Sequence, residues 1–185
     1  MAARADRFFV LTGGPGSGKT ALIDALASLG YARTIEAGRA IIQDQVAIGG
    51  NALPWGDRTA FAELMLSWEM RSYADACRGD GPVFFDRGIP DVAGYLQLCA
   101  LGVPSHVEKA ATMFRYHPRA FVAPPWPAIF HGDAERKQDF AEAERTFDAV
   151  TATYRRFGYQ LVELPRATVA DRVRFVLERV GLERD

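Results

Sequence analysis

The sequence predicts an α/β domain in which helices cover both faces of a parallel β-sheet. Short apolar segments of strand character alternate with longer segments whose apolar residues recur every three or four positions. Such alternation favours parallel strands joined by right-handed helical crossovers. The chain has 185 residues, of which 49% are hydrophobic and 24% charged, as in an ordinary globular domain. We therefore expect one three-layer domain over residues 1–185.

The N-terminal third is predicted to contain two strands, each followed by a helix. Residues 8–11 are aromatic or aliphatic and precede glycines, which is typical of a buried strand. A helix follows from Lys19 to a stop at Gly30, and residues 31–35 form a short second strand. Residues 36–48 have helical periodicity and complete this part of the chain.

The middle of the chain repeats the alternation of helix and strand. Asp57 is a suitable N-cap for a long helix with apolar residues at helical spacing. Residues 83–85 then form a buried strand, and the apolar residues within 92–99 lie on one face of a helix. Ser105 and Glu108 have the spacing of a capping box, which predicts a further helix with Ser105 as its N-cap.

The C-terminal third contains the most regular pattern. A strand at residues 120–122 runs into a proline-rich loop that extends to Asp133, because the prolines cannot continue a central strand. Residues 140–157 carry an apolar stripe on an otherwise charged helix. A strand at residues 159–164 and a helix at residues 169–180 end the predicted order.

A glycine-rich segment between the first strand and the first helix fits the pattern G-x-x-x-x-G-K-[ST] in full. The glycines let the backbone curl so that successive N–H groups point at phosphate oxygens, at the positive end of the helix dipole. Lys19 is expected to place its charge between the β- and γ-phosphates, and the Thr20 hydroxyl to bind Mg²⁺. The residues of this phosphate loop are Gly13, Gly14, Pro15, Gly16, Ser17, Gly18, Lys19 and Thr20.

The buried strand of residues 83–85 is followed by Asp86 and Arg87. In an open α/β sheet, the ligand crevice lies at the carboxyl ends of the strands. Asp86 is therefore expected to hold Mg²⁺, directly or through water, or to act as the base for an attacking hydroxyl. The planar guanidinium of Arg87 suits an anionic or hydroxylated acceptor. A structural Asp–Arg pair at the strand end is the alternative.

Glu36 and Arg39 follow the second predicted strand and should open onto the same crevice. A carboxylate paired with a guanidinium at that place would orient a sugar hydroxyl or another polar acceptor. The sequence allows equally well an exposed ion pair at the start of a helix, which would contribute little energy. Both interpretations stay open at this point.

Asp133, Arg136 and Lys137 follow the proline-rich loop. A cation on a closing loop stabilises the charge that develops on the γ-phosphoryl group, and closure excludes water. We therefore predict a lid at about residues 124–139, with Arg136 as a catalytic residue. A charged loop that is simply solvated is the alternative.

The charge balance and the lack of targeting signals limit the remaining classes of protein. The formal net charge is −1, so the chain lacks the basic surplus of a nucleic-acid or anionic-membrane binder. No apolar run reaches the roughly 20 residues of a membrane span, and the charged N-terminus is unlike a signal peptide. We expect a cytoplasmic protein without a nucleic-acid partner, and the sequence leaves a homodimer open.

Five segments together resemble the AAA-type ATP-binding domain shared with the NadR ribosylnicotinamide kinases. They are the phosphate loop, Ile-Glu-Ala-Gly-Arg at residues 35–39, Phe-Phe-Asp-Arg-Gly-Ile-Pro-Asp at 84–91, Asp133-x-x-Arg136 and Gly-Tyr-Gln-Leu-Val-Glu-Leu-Pro at 158–165. The resemblance covers nearly the whole chain, and its phosphate-loop part is highly specific. It implies a P-loop kinase-like fold with a five-stranded parallel sheet in the order 2-3-1-4-5, and ATP as the nucleotide.

The same resemblance assigns roles to individual residues. Those that would handle Mg-ATP are Lys19, Thr20 and Asp86. Those that would face the acceptor are Glu36, Arg39, Arg87 and Asp91. Arg136 would be the lid arginine.

Two classes of function are open. The favoured one is a small-molecule kinase that transfers the γ-phosphoryl group of Mg-ATP to a hydroxylated, nucleoside-like acceptor. The other is an ATP- or GTP-binding regulatory module, or a slow NTPase, without a small-molecule acceptor. A Ras-type GTPase is disfavoured, because the only asparagine of the chain is Asn51 and the guanine-reading motif Asn-Lys-x-Asp is therefore absent.

Overall fold

The computed structural model describes residues 5–130 and 139–182, and within them five strands form one sheet. The strands are β1 (Phe8–Gly13), β2 (Ala32–Arg33), β3 (Val83–Asp86), β4 (Arg119–Ala123) and β5 (Gln160–Glu163). Every pair is parallel and the order is β2-β3-β1-β4-β5. The α/β class and the strand order implied by the family resemblance are thus confirmed.

The helices connect these strands and cover the sheet on both faces. They are α1 (Lys19–Ser28), α2 (Ala37–Ile48), α3 (Arg58–Ala76), α4 (Ile89–Leu98), α5 (Ser105–Met113), α6 (Phe140–Arg156) and α7 (Val169–Val180). A short 3₁₀ turn, Pro127–Ile129, interrupts the proline-rich loop after β4. No helix within the described ranges has both the length and the apolar character needed to cross a membrane.

The side chains of β1 alternate between two cores, and every residue of this strand is buried. Phe9 packs with Leu22 of α1 and with α7 on one face of the sheet. Phe8 packs with α3 and with Tyr154 of α6 on the other face. Beyond that second face, a third core joins α2, α3, α4 and α5. Since alternate residues of a strand face opposite sides, this central strand anchors both outer layers.

The strand register brings the polar strand ends to one edge of the sheet. β1 lies in the centre, where its Leu11 pairs with Asp86 of β3 and its Gly13 pairs with Ala123 of β4. The phosphate loop therefore leaves the sheet beside the carboxylate that ends β3. This edge is where an open α/β sheet binds its ligand.

The second strand is shorter than the five residues predicted from the sequence. Only Ala32 and Arg33 have strand geometry, and both are exposed at the edge of the sheet. Thr34 still donates its N–H to the carbonyl oxygen of Phe84 at 3.0 Å. The segment pairs with a neighbouring strand on one side only, and Ile35 is 64% exposed. The strand is therefore short because its side chains are not buried.

The predicted cap at Ser105 is wrong by one residue. Ser105 is the first residue of α5, Pro104 is the N-cap, and no side chain caps this helix. The carbonyl oxygen of Pro104 accepts the N–H groups of Val107 and Glu108 at 3.0 and 3.2 Å. The helix therefore starts one residue earlier than the capping box requires. By contrast, Asp57 caps α3 as predicted, with its Oδ1 2.9 Å from the Ala60 nitrogen.

Candidate active site

The phosphate loop connects β1 to α1 through a backbone that requires glycine. Gly13, Gly16 and Gly18 have φ angles of 130°, 66° and 75°, and L-residues other than glycine rarely adopt these values. Gly18 is the N-cap residue of α1, so the last part of the loop lies at the positive end of that helix. The backbone is thus curled as an anion-binding loop requires.

Lys19 is buried and lies across the phosphate loop. Its Nζ donates to the carbonyl oxygen of Gly14 at 2.8 Å, to that of Gly13 at 3.2 Å and to Ser17 Oγ at 3.3 Å. Its ammonium group is therefore already within the loop. Thr20, the next residue of α1, is exposed.

Two later parts of the chain pack tightly against the phosphate loop. Gly14 touches the backbone of Ala143 in α6, where an added Cβ would overlap the Ala143 carbonyl oxygen. Gly16 lies under the ring of Phe130, which makes an edge-to-face contact with Phe140 at 5.4 Å between centroids. Phe130 and Phe140, on either side of the segment 131–138, therefore contact each other, and Phe130 and Ala143 contact the phosphate loop.

Asp86 ends β3 beside the phosphate loop. Its side chain is buried, and its Oδ1 has no hydrogen-bond partner among the described residues. Burial, followed by the negative charge of Glu36, raises the pKa of Asp86 from 3.8 to about 6, although the nearby cations Lys19 and Arg87 oppose the rise. An unpartnered carboxylate oxygen at this place is available to a ligand.

We expect the variant Asp86→Asn to be more stable than the wild type at about pH 8. The raised pKa means that the folded protein binds this proton more tightly than the unfolded chain does. The stabilisation is present below about pH 4 and is lost as the pH rises through about 6. Removing the buried charge should then raise the free energy of unfolding on the order of 2 to 3 kcal/mol and the melting temperature by about 5 °C or more.

Thermal denaturation at about pH 4 and at about pH 8 measures this effect. The gap between Asp86→Asn and the wild type should become much smaller at the lower pH, because Asp86 is then protonated in the folded state and partly protonated in the unfolded chain. Asp75→Asn is the matched control, since Asp75 lies on the surface of α3 and is paired with Arg78. A variant that is no more stable than the wild type at about pH 8 contradicts the interpretation of Asp86 as a destabilising buried charge.

Arg87 lies between two carboxylates. Its Nε is 3.1 Å from Glu36 Oε1 and its NH1 is 3.2 Å from Asp91 Oδ1. Its φ angle of 73° lies in the left-handed region, and its N–H donates to the carbonyl oxygen of Leu11 at 3.0 Å. The sheet thus holds a strained residue in place, as often occurs at functional sites.

The carboxylate of Asp91 is bound on all sides by the protein. Its Oδ2 accepts the Tyr154 hydroxyl at 2.7 Å and the Gly88 N–H at 3.0 Å, and its Oδ1 accepts the Thr12 hydroxyl as well as Arg87. Asp91 therefore ties β1, the start of α4 and α6 together. In this arrangement it orients Arg87.

A cavity of about 260 Å³ opens beside the phosphate loop. The polar end nearest the loop is lined by Pro15, Glu36, Arg87 and Asp91. The apolar wall consists of Ile42, Phe61, Met65, Leu98 and Val150. Charged side chains of α3 and α6 complete it, namely Arg58, Glu142 and Arg145. The volume lies just below the usual range for small-molecule sites, and the lining combines an apolar wall with charged groups.

The structure brings together most, but not all, of the residues predicted for the acceptor. Glu36, Arg87 and Asp91 meet at one end of the cavity. Arg39 lies one turn further along α2, is exposed, and is not part of the cavity lining. The predicted lid residue Arg136 lies outside the described residues, as do Asp133 and Lys137, so the role of Arg136 stays a prediction.

Glu69 is a buried charged residue that the sequence analysis missed. It belongs to α3, and burial raises its pKa well above the usual value, with further contributions from Asp91 and Asp86. One signal was available, because Glu69 lies four residues from both Met65 and Tyr73 and therefore on their buried helix face. A carboxyl group at a core position is uncommon unless it has a polar neighbourhood.

Arg172 is a second buried residue that the sequence did not predict, and no sequence signal pointed to it. It belongs to α7 but is buried against the phosphate loop, where its NH1 donates to the carbonyl oxygens of Ser17 and Gly18. In the sequence it stands among other charged residues of an amphipathic helix.

Comparison with known proteins places this architecture in a family. The family model described as AAA domain matches residues 8–172. The chain belongs to the AAA domain family. A comparison with curated protein sequences finds no match.

Several solved structures share the fold of this AAA domain at low sequence identity. Deoxyadenosine kinase from M. mycoides with bound dATP has a TM-score of 0.68 and 11% identity, covering 95% of this chain and 99% of that chain. The NadR protein in complex with NR has a TM-score of 0.69 and 17% identity, and the match covers 97% of this chain and 52% of that chain. Shikimate kinase from Acinetobacter baumannii in complex with shikimate has a TM-score of 0.59 and 15% identity, covering 97% and 96%.

The AAA domain thus has the fold of the P-loop small-molecule kinases. It spans about half the length of the NadR chain, and nearly the full length of the other two enzymes.

Proposed function

We propose that this protein is an ATP-dependent kinase that transfers the γ-phosphoryl group of Mg-ATP to a hydroxyl group of a small, nucleoside-like acceptor. The observation that carries the proposal is the cavity beside the phosphate loop. Its lining includes Pro15 of the loop, the charged group of Glu36, Arg87 and Asp91, and an apolar wall. An acceptor whose hydroxyl lies at the polar end would therefore face the phosphates.

The nucleotide side of the proposal rests on Lys19 and the curled loop. The loop N–H groups and the Lys19 ammonium supply the positive potential that a triphosphate requires. When ATP binds, its oxygens would take over the hydrogen bonds that Lys19 now makes to the loop. Lys19 would then stabilise the charge that develops as the bond between the β–γ bridging oxygen and the γ-phosphorus breaks.

Mg²⁺ fits the residues at this edge of the sheet. Within the described parts of the chain, no group of three or more His, Cys, Asp or Glu residues could hold a metal alone. Mg²⁺ usually keeps several waters and binds through one carboxylate and the substrate phosphates, so such a group is not required. The unpartnered Oδ1 of Asp86 and the exposed Thr20 hydroxyl are the ligands we propose.

Glu36 is our candidate for the base. Asp86 and Glu36 both carry carboxylates near the loop, but only Glu36 lines the cavity. Its ion pair with Arg87 holds it at the polar end, where it would accept the proton of the attacking hydroxyl as the new O–P bond forms. In this proposal Asp86 binds Mg²⁺ and Glu36 accepts the proton of the attacking hydroxyl.

The cavity and the ligands of two of the similar structures support the proposed acceptor class. A polar end for a sugar hydroxyl and an apolar wall for a ring suit a nucleoside better than a linear polyol. The deoxyadenosine kinase and NadR structures contain dATP and NR respectively. We propose a nucleoside or nucleoside-like alcohol for this chain.

Incubation of the purified protein with γ-labelled ATP, Mg²⁺ and a panel of nucleosides and small alcohols tests the proposal. We expect label on one class of acceptor, with formation of ADP that depends on that acceptor. Tight nucleotide binding with slow, acceptor-independent hydrolysis would favour the regulatory module instead. Negligible ATP turnover with the whole panel, and no labelled product, would contradict the kinase.

A further inference from the structure

Arg172 contacts the outer side of the phosphate loop from a distant part of the chain. It is 2% exposed, and its NH1 lies 3.1 Å from the carbonyl oxygen of Ser17 and 3.4 Å from that of Gly18. A Cβ added at Gly18 would come within 2.8 Å of the same NH1. A side chain at this position would therefore displace the guanidinium, and the φ angle of 75° independently favours glycine.

These two carbonyl groups belong to the peptide units that present the N–H groups of Gly18 and Lys19. A peptide unit is polarised as a whole, so a cation at its oxygen strengthens its N–H as a donor. Hydrogen bonds that involve a charged group are also the stronger ones. Arg172 therefore holds two peptide planes with their oxygens outward and their N–H groups towards the side where phosphates bind.

The charge of Arg172 has no carboxylate to balance it within the described residues. Its Nε has no hydrogen-bond partner there, and burial lowers its pKa from the usual value. It lies at the positive end of α1, next to the loop that also contains Lys19. Two cations and a helix N-terminus repel each other until an anion is bound. A bound anion would therefore reduce the repulsion between these positive groups.

We propose that Arg172 is a positioning residue for the nucleotide phosphates, which acts through the peptide groups of Ser17 and Gly18 without touching the nucleotide. This inference rests on the proposed function, because it requires that a nucleotide binds at the loop. It gives α7, which lies outside the cavity, an indirect part in nucleotide affinity through the loop. Since the N–H groups bind phosphate in the ground state and the transition state alike, Arg172 affects KM for ATP more than kcat.

Calorimetric titration with Mg-ADP tests the proposal without knowledge of the acceptor. The variant Arg172→Met should raise the Kd for Mg-ADP about tenfold or more, because the charge-assisted contacts to the Ser17 and Gly18 carbonyl groups are lost and, among the described residues, Gly18 keeps only its bond from the Leu22 N–H. Arg172→Lys keeps the charge and should lose less affinity than Arg172→Gln, which keeps a donor only. Arg174→Met on the exposed side of the same helix is the control and should stay within about twofold of the wild type.

A purely structural role would lower the melting temperature of the ligand-free protein and leave the Kd of the folded molecules unchanged. Wild-type affinity in folded Arg172→Met would therefore overturn the inference. If that variant does not fold, Arg172→Gln decides, and wild-type affinity in Arg172→Gln overturns the inference in the same way. Lack of Mg-ADP binding by the wild type overturns the inference together with the proposed function, whereas equal binding by wild type and variant overturns the inference alone.

Discussion

The variant Lys19→Met is expected to lose at least about 100-fold in kcat, the usual cost of removing one preorganised charge from a transition state. Lys19 is buried in the phosphate loop and donates to Gly13, Gly14 and Ser17. Methionine has a similar length but neither charge nor donor. The loss should be larger in kcat than in the affinity for Mg-ADP, because negative charge builds up on the β–γ bridging oxygen as the γ-phosphoryl group leaves.

Turnover with the identified acceptor and titration with Mg-ADP separate these two effects. Lys109→Met is the matched control, since Lys109 is an exposed lysine on α5. We expect this control to keep both rate and affinity. A Lys19→Met enzyme with wild-type kcat would show that the phosphate loop does not carry the reaction.

The variant Glu36→Gln should reduce kcat by about 100- to 10,000-fold, the range expected for the loss of a general base. Glutamine keeps the size of the side chain but cannot accept the proton of the acceptor hydroxyl. Affinity for Mg-ADP should stay within about twofold, because Glu36 lines the cavity proposed for the acceptor and is not part of the phosphate loop.

The dependence of turnover on Mg²⁺ distinguishes Glu36 from Asp86. In Glu36→Gln, the Mg²⁺ concentration for half-maximal rate should equal that of the wild type, whereas in Asp86→Asn it should rise. Glu63→Gln on the surface of α3, where Glu63 pairs with His106, is the control. The assignment of the proton to Glu36 fails if Glu36→Gln keeps its kcat, or if the two variants respond to Mg²⁺ in the same way.

The parts of the site that could be predicted from the sequence are those built from neighbouring residues. The eight-residue loop determines its own backbone, because three of its glycines have positive φ angles. Asp86 was predictable since a buried strand ends at it, and strand ends meet at one edge of a parallel sheet. Glu36 was predicted for the same reason and lies at that edge.

The rest of the site depends on contacts between distant residues. Tyr154 appears in the sequence as part of an apolar stripe, yet its hydroxyl bonds to Asp91, 63 residues earlier. Arg172 reaches back 155 residues to Ser17. Arg39 and Glu36 are three residues apart, but only the glutamate lines the cavity, since the direction of each side chain depends on how α2 packs. Hydrophobic periodicity predicts which face of a helix is buried, but not which distant residues that face contacts.

The contact between Gly14 and Ala143 has a thermodynamic consequence. Gly14 belongs to the loop proposed for the nucleotide, and α6, which carries Ala143, also forms part of the cavity wall through Val150. A displacement of the loop is therefore passed to that wall through packed backbone, which has little freedom to absorb it. Linkage makes the effect mutual, since the factor by which one ligand changes affinity for the other applies in both directions. In the proposed kinase, we therefore expect nucleotide and acceptor to act as heterotropic effectors of each other, with this backbone contact as one route of coupling.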